Sequence, residues 1–177
     1  MTARLLAASL AAAALTGTAA GAVVAVAPAA PARTAAVEVT RTGAGKVRLG
    51  RTYRRLRDAK AIWRIRPGCE PAGPSSRSAA LRRPLRGSVE FTQTSPRRAA
   101  FITIRAGARA RGIGVGSTLK ALRKAFPKAR IDRRTEEIFR FTTVHIPRRG
   151  GGRFDFAVSL ATKRVTEIGI PGLFLCD

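Results

Sequence analysis

The chain carries one thirteen-residue pattern twice. Residues 47–59 read VRLGRTYRRLRDA and residues 113–125 read IGVGSTLKALRKA, an offset of 66. Both run aliphatic, any residue, aliphatic, Gly, any residue, Thr, three residues, Leu, Arg, any residue, Ala. A self-match of this kind points to a fold built from two related units. Each copy opens as a short extended stretch ending in a turn, where Gly50 or Gly116 can take the positive φ that side chains disfavour. Thr52 in the first copy, and Ser117 or Thr118 in the second, then supply a hydroxyl to cap a helix start. Tyr53, Leu56 and Ala59 fall on one helical face, as do Leu119, Leu122 and Phe126, and Pro127 limits the second helix.

After each helix the apolar pattern changes to period two, the signature of half-buried strands. Residues 88–93 and 99–105 alternate around Thr94-Ser95-Pro96-Arg97. In the second half, 137–146, 153–160 and 165–170 alternate, with Phe139 and Phe141 on one face and Phe154, Phe156 and Val158 on another. Residues 67–87, rich in Pro, Gly and Ser, are expected to be a loop, and 106–112 a connector. The expected fold class is α+β: two helix-plus-antiparallel-strand pseudo-repeats, 36–107 and 108–177, with the helices packed on one side of an antiparallel sheet.

This arrangement resembles the β-lactamase-inhibitory protein group and the related outer-membrane assembly lipoproteins of the BamE/SmpA type. The residues that carry the resemblance are Val47, Leu49, Gly50, Thr52 and Leu56, then Val115, Gly116, Ser117, Leu122 and Pro127. The resemblance implies two repeats joined in one continuous sheet that presents a concave protein-binding face. The chain departs from that group in having few aromatic residues and in being far more basic.

Residues 1–32 are expected to be a cleaved signal peptide. A basic start at Arg4 leads into an apolar run over 5–27, and Ala27-Pro28-Ala29 and Ala30-Pro31-Ala32 both fit the small-residue cleavage rule, so cleavage after Ala29 or Ala32 stays open. The competing reading is a retained membrane anchor, but the run is mostly Ala, Gly and Thr. After cleavage no membrane span is expected, and the protein is placed outside the cell or in the cell envelope. There Cys69 and Cys176 are expected to form a disulfide.

Two cysteines and one histidine leave no basis for a zinc finger, an iron–sulfur cluster or a multi-histidine metal site, so neither metal nor cofactor is expected. The run Gly112-Ile113-Gly114-Val115-Gly116-Ser117-Thr118 lacks the lysine of a phosphate loop and reads as a turn plus helix cap. Glu136, Glu137 and Asp155 fall short of a glycosidase reading, because the chain has one Trp and one Tyr with which to line a sugar cleft. An exported hydrolase using His145 with Asp155 or Glu137 is the alternative function.

The leading expectation rests on charge. The formal net charge is +24, from 34 Lys and Arg against 10 Asp and Glu, while 45% hydrophobic content argues against a disordered basic tail. Candidate anion-binding residues are Arg54, Arg55, Lys120, Arg123, Lys124, Arg133, Arg134, Arg148 and Arg149, spread over helix faces and turns. Clustered cations bind polyanions by releasing counterions. No motif for sequence-specific nucleic-acid readout accompanies them. The sequence therefore points to an exported, monomeric, non-enzymatic binding protein whose partner is a protein or an anionic envelope polymer.

Overall fold

Alternation of large aliphatic and aromatic residues with small or polar ones builds a sheet with one apolar face. The computed structural model describes residues 35–147 and 153–176. The segment read as a signal peptide, Arg148 and Arg149 lie outside the described residues.

The chain begins with three short strands, β1 (Val37–Thr40), β2 (Gly43–Ala44) and β3 (Val47–Arg48), then helix α1 (Tyr53–Asp58). Four strands follow: β4 (Ile62–Pro67), β5 (Arg77–Leu81), β6 (Arg86–Phe91) and β7 (Ala99–Ala106), with a 3-10 turn over Glu70–Ala72. The second half repeats the order: β8 (Ala108–Ala110), β9 (Ile113–Gly114) and α2 (Leu119–Ala125). Then come β10 (Arg130–Asp132), α3 (Glu136–Phe139), β11 (Phe141–Pro147), β12 (Arg153–Ser159) and β13 (Val165–Ile170).

The larger sheet has eight strands in the order β10-β11-β12-β13-β7-β6-β5-β4, so two four-strand meanders meet at their last strands. The central pairing is antiparallel and sets Ile168 opposite Ile104 and Ile170 opposite Ile102. The five short strands form a second sheet, β3-β2-β1-β8-β9, in which β1 runs parallel to β8. The core lies on one face of the large sheet, where Val89, Ile102, Ile104, Phe154, Phe156, Ile168 and Ile170 are buried with Leu56 and Leu122. Phe126, at the end of α2, stands edge-on to Phe154 and tilted against Phe156.

The α+β expectation is corrected: the fold is mostly β, with three short helices of six, seven and four residues. Each of α1 and α2 buries one side chain, Leu56 or Leu122, and α3 buries none. Helices this short cannot form a layer of their own, since a packed layer needs an apolar stripe spanning several turns. Three local readings change with it. Residues 67–87 are not one loop, because β5 lies between β4 and β6 and bonds to both. The connector 106–112 contains β8. Residues 137–146 are not one strand: α3 ends at Arg140, whose φ of 58° is left-handed, and β11 starts after it. Phe139 and Phe141 therefore pack ring to ring at 5.7 Å across that bend.

The two helix starts are built alike. Thr52 caps α1 by accepting from the Arg55 N–H, and Thr118, not Ser117, caps α2 by accepting from the Ala121 N–H. Ser117 accepts from the Gly114 N–H instead. Gly50 and Gly116 have φ of 73° and 89°, a region costly for residues bearing a Cβ. The Gly50 N–H donates to Ala99 O and the Gly116 N–H to Val165 O, both at 2.8 Å. Arg98 donates from Nη1 to Gly50 O at 3.0 Å, and Arg164 to Gly116 O at 2.8 Å. Every partner has moved by 66 positions.

Candidate functional site

Strand alternation that sends Ile and Phe to the core sends polar side chains to the opposite face. On that face lie Ser78, Glu90, Thr103, Thr143, His145 and Asp155, drawn from five adjacent or nearby strands of the large sheet. Asp155 is only 2% exposed, and Thr103 and Thr143 are also buried.

The cover over part of this face is the C-terminal segment. Gly169 alternates with Ile168 and Ile170, and a Cβ on it would strike Gly172 O at 2.4 Å and Leu173 N at 2.5 Å. Gly172 in turn lies against the Asp155 and Arg153 side chains. Farther on, the Phe174 ring meets Phe101 of β7 at 5.2 Å. The Cys176–Cys69 disulfide then anchors the segment just beyond the end of β4, with the two Cα atoms 5.9 Å apart. Residues 172–176 are thus a strap across the polar face. The expected disulfide is present, and such bonds persist in oxidising surroundings. Among the described residues, no helix is long and apolar enough to cross a membrane.

Register places His145 opposite Asp155 on the neighbouring strand. Its Nδ1 lies 2.9 Å from Asp155 Oδ1, and its Nε2 lies 3.4 Å from Asp132 Oδ2. Asp132 also accepts from the Arg134 side chain and backbone N–H. Those Arg134 hydrogen bonds hold the Asp132 carboxyl well below the usual carboxylate range. Arg153 Nε stands 3.7 Å from the second oxygen of Asp155. Of the two carboxylates considered for His145, Asp155 is in contact; Glu137 is exposed on α3 and is not among its partners. A histidine that serves as a general base needs one ring nitrogen free to face a hydroxyl, a thiol or a water. Here both nitrogens face carboxylates.

Glu90 is a second, half-buried carboxyl on the polar face. Its Oε2 is buried with no hydrogen-bond partner among the described residues, and desolvation pushes its pKa up against the opposing pull of Ser88 and Arg66.

The basic candidates occupy separate elements. Arg54 and Arg55 lie exposed on α1, and Lys120, Arg123 and Lys124 on α2. Arg133 and Arg134 occupy the turn after β10. Arg54 reaches Asp58 at 4.0 Å, Arg133 reaches Glu136 at 3.9 Å, and Arg134 is engaged with Asp132. Arg55, Lys120, Arg123 and Lys124 meet no carboxylate among the described residues.

The sequence reading missed the hydrogen bonds that Arg98 and Arg164 make to the repeat glycines, the place of Asp132, and the stacking of the Arg82 guanidinium 3.9 Å above the ring of Trp63. A signal existed for the first pair: Arg97-Arg98-Ala99 and Lys163-Arg164-Val165 also lie 66 apart. None existed for Asp132, whose place beside His145 comes from the pairing of β10 with β11.

Compared with protein-family models, curated proteins and solved structures, the chain matches none.

Proposed function

We propose that this chain is an exported, non-enzymatic binding protein of the bacterial cell envelope or the surrounding medium, and that its basic surface engages an anionic partner. The observation that carries the reading is the scarcity of internal counterions. Among the described Lys and Arg side chains, only those of Arg54, Arg57, Arg105, Arg133, Arg134 and Arg153 come within 4 Å of a carboxylate. The remaining cations keep their charge available to a partner, and a potential of one sign over a surface draws in polyanions. We further propose a relationship to the β-lactamase-inhibitory protein and BamE/SmpA-like group, with 36–107 and 108–177 as its two repeats.

The test is retention of mature protein on an immobilised phosphate- or carboxylate-bearing wall polymer across a salt gradient. Binding should fall steeply between low and moderate salt, because each neutralised anionic site adds to the salt slope. Replacing Arg55, Lys120, Arg123 and Lys124 together by Gln should flatten that slope. Retention that ignores both salt and these substitutions overturns the reading.

A second reading, an exported hydrolase, draws on the 2.9 Å contact between His145 and Asp155. It requires Asp132 to leave Nε2 before a nucleophile could use it. Turnover of ester, amide or glycoside substrates that disappears in His145→Ala, with folding intact, would favour it over the binding reading.

A further inference from the structure

The outer strand β4 carries an irregularity that a plain sheet edge does not need. Ile62 pairs with Leu81 and Ile65 with Ala79, so three steps along β4 match two along β5. Ile62 is buried and Ile65 packs against the core, so both ends of this stretch face inward. The extra residue is a β-bulge, and it leaves Trp63 and Arg64 together opposite Ala80, turned away from the core. Bulges and charged side chains protect sheet edges from pairing with other chains. A tryptophan works against that protection, because it adds apolar surface to the edge.

Trp63 is 55% exposed and is the only exposed aromatic among the described residues. Just past β5, Arg82 lays its guanidinium 3.9 Å from the centroid of the indole. That plane is held in place, since Arg82 Nε donates to Ile62 O at 3.1 Å and its backbone N–H donates to Ala61 O at 3.0 Å. Arg82 covers one face of the ring, so the exposure falls on the other face and the rim. The terminal nitrogens of Arg82 have no partner among the described residues, and the Arg64 side chain has none. Arg66, two residues along β4, donates from Nε to Ser78 Oγ at 3.3 Å and attracts the half-buried Glu90. An open aromatic face thus stands beside three arginines that make no ion pair among the described residues.

We propose, resting on the anionic-partner reading above, that this platform binds a polysaccharide whose sugar rings carry carboxylates. One sugar lies with its C–H face flat on the open side of the indole, displacing water from apolar surface that the fold leaves bare. Carboxylates along the polymer meet Arg64 and the free fork of Arg82, a planar donor pair that fits a carboxylate with two parallel hydrogen bonds. A ring-free polyphosphate satisfies the arginines and leaves Trp63 in water. A neutral glucan covers Trp63 and leaves the arginines unused. Single-stranded nucleic acid gains affinity by stacking successive bases on several aromatics, and this edge exposes one. The helix cations Arg55, Lys120, Arg123 and Lys124 are no part of the platform, so it and the wider basic surface fail separately.

The experiment titrates the full, disulfide-bonded chain at low salt with polygalacturonate, polyphosphate, dextran and poly(dT). The chain has one Trp, so its emission reports position 63 alone. Polygalacturonate should shift that emission to the blue and saturate. Polyphosphate at equal charge concentration should bind, by anisotropy of the labelled polymer, without the shift, and dextran should leave the emission unchanged. Trp63→Ala, outside the core, should weaken polygalacturonate about tenfold or more and change polyphosphate by less than about twofold. Trp63→Tyr keeps a ring to stack on and should recover most of the loss. An equal shift with polyphosphate in the parent protein overturns the platform and leaves the basic surface standing, as does undiminished polygalacturonate binding in Trp63→Ala. A Trp63-dependent loss larger for poly(dT) than for polygalacturonate overturns it in favour of nucleic acid. Failure of polygalacturonate and polyphosphate alike to bind at low salt removes the anionic-partner reading as well.

Discussion

The two faces of the eight-stranded sheet reach similar burial by different means. On one, Val89, Ile102, Ile104, Phe156 and Ile168 are sealed by each other and by Leu56 and Leu122. On the other, Thr103 and Asp155 are as well hidden, and the backbone at Gly172, in a segment tied down by one disulfide, lies against Asp155. Apolar burial is its own driving force. Polar burial opposes folding until each group finds a partner, so it needs a cover fixed in place from elsewhere. The first face is a property of the strands; the second belongs to the whole closed chain.

The contrast breaks most readily on the apolar side. Phe156→Ala should cost about 3–5 kcal/mol by denaturant unfolding under oxidising conditions, from lost transfer energy plus the cavity left behind. A cost below about 1 kcal/mol would mean the sheet is held by something other than this packing. Replacing Cys69 and Cys176 by Ser should cost about 2–5 kcal/mol. Its second effect is selective: amide exchange should rise over 172–176 well before it rises at Ile102 or Ile104. Uniform acceleration of both faces would argue that the strap is no separate unit.

Smaller changes sharpen the comparison. Thr52→Ala and Thr118→Ala should each cost about 1 kcal/mol and by nearly equal amounts, because the two caps make the same hydrogen bond beneath the same core. A marked inequality would show that the halves are not energetically alike. The smallest effect belongs to Glu90. Its folded pKa is raised, so its ionisation weakens the fold as pH climbs from the unfolded value upward through the folded one. Glu90→Gln should therefore be more stable than the parent at neutral pH, and that advantage should vanish below about pH 4. An advantage that persists in acid would trace to packing, not to charge.

What the sequence discloses follows the same division. β7 and β13 are legible because Ile102 and Ile104 in the one, and Ile168 and Ile170 in the other, fall two apart among small or polar residues. The caps are legible because Thr after Gly is a local signal. β5, with Ser78, Ala79 and Ala80 at its centre, carries too little bulk to announce a strand, and only its neighbours on both sides make it one. Residues 137–141 mimic strand alternation because nothing in Phe139-Arg140-Phe141 reveals that Arg140 turns left-handed. His145 and Asp155 were both legible as residues that could act together. Their contact depends on β11 and β12 pairing from Pro147 and Arg153 onward, and the presence of Asp132 at the second nitrogen depends on a third strand. The strap leaves no local trace at all except the glycines that admit it.

The Cys69–Cys176 bridge also changes the topology of the chain. It closes residues 69–176 into a covalent ring that holds β5 to β13, including the whole second half. One peptide-bond cut anywhere inside that ring releases nothing: the molecule stays in one piece and keeps its mass apart from an added water. Only a cut upstream of Cys69, within the stretch that holds β1 to β4 and α1, sheds a fragment. Under proteolysis, most single nicks are thereby silent until a reductant arrives, and a reducing gel is where they would first be seen.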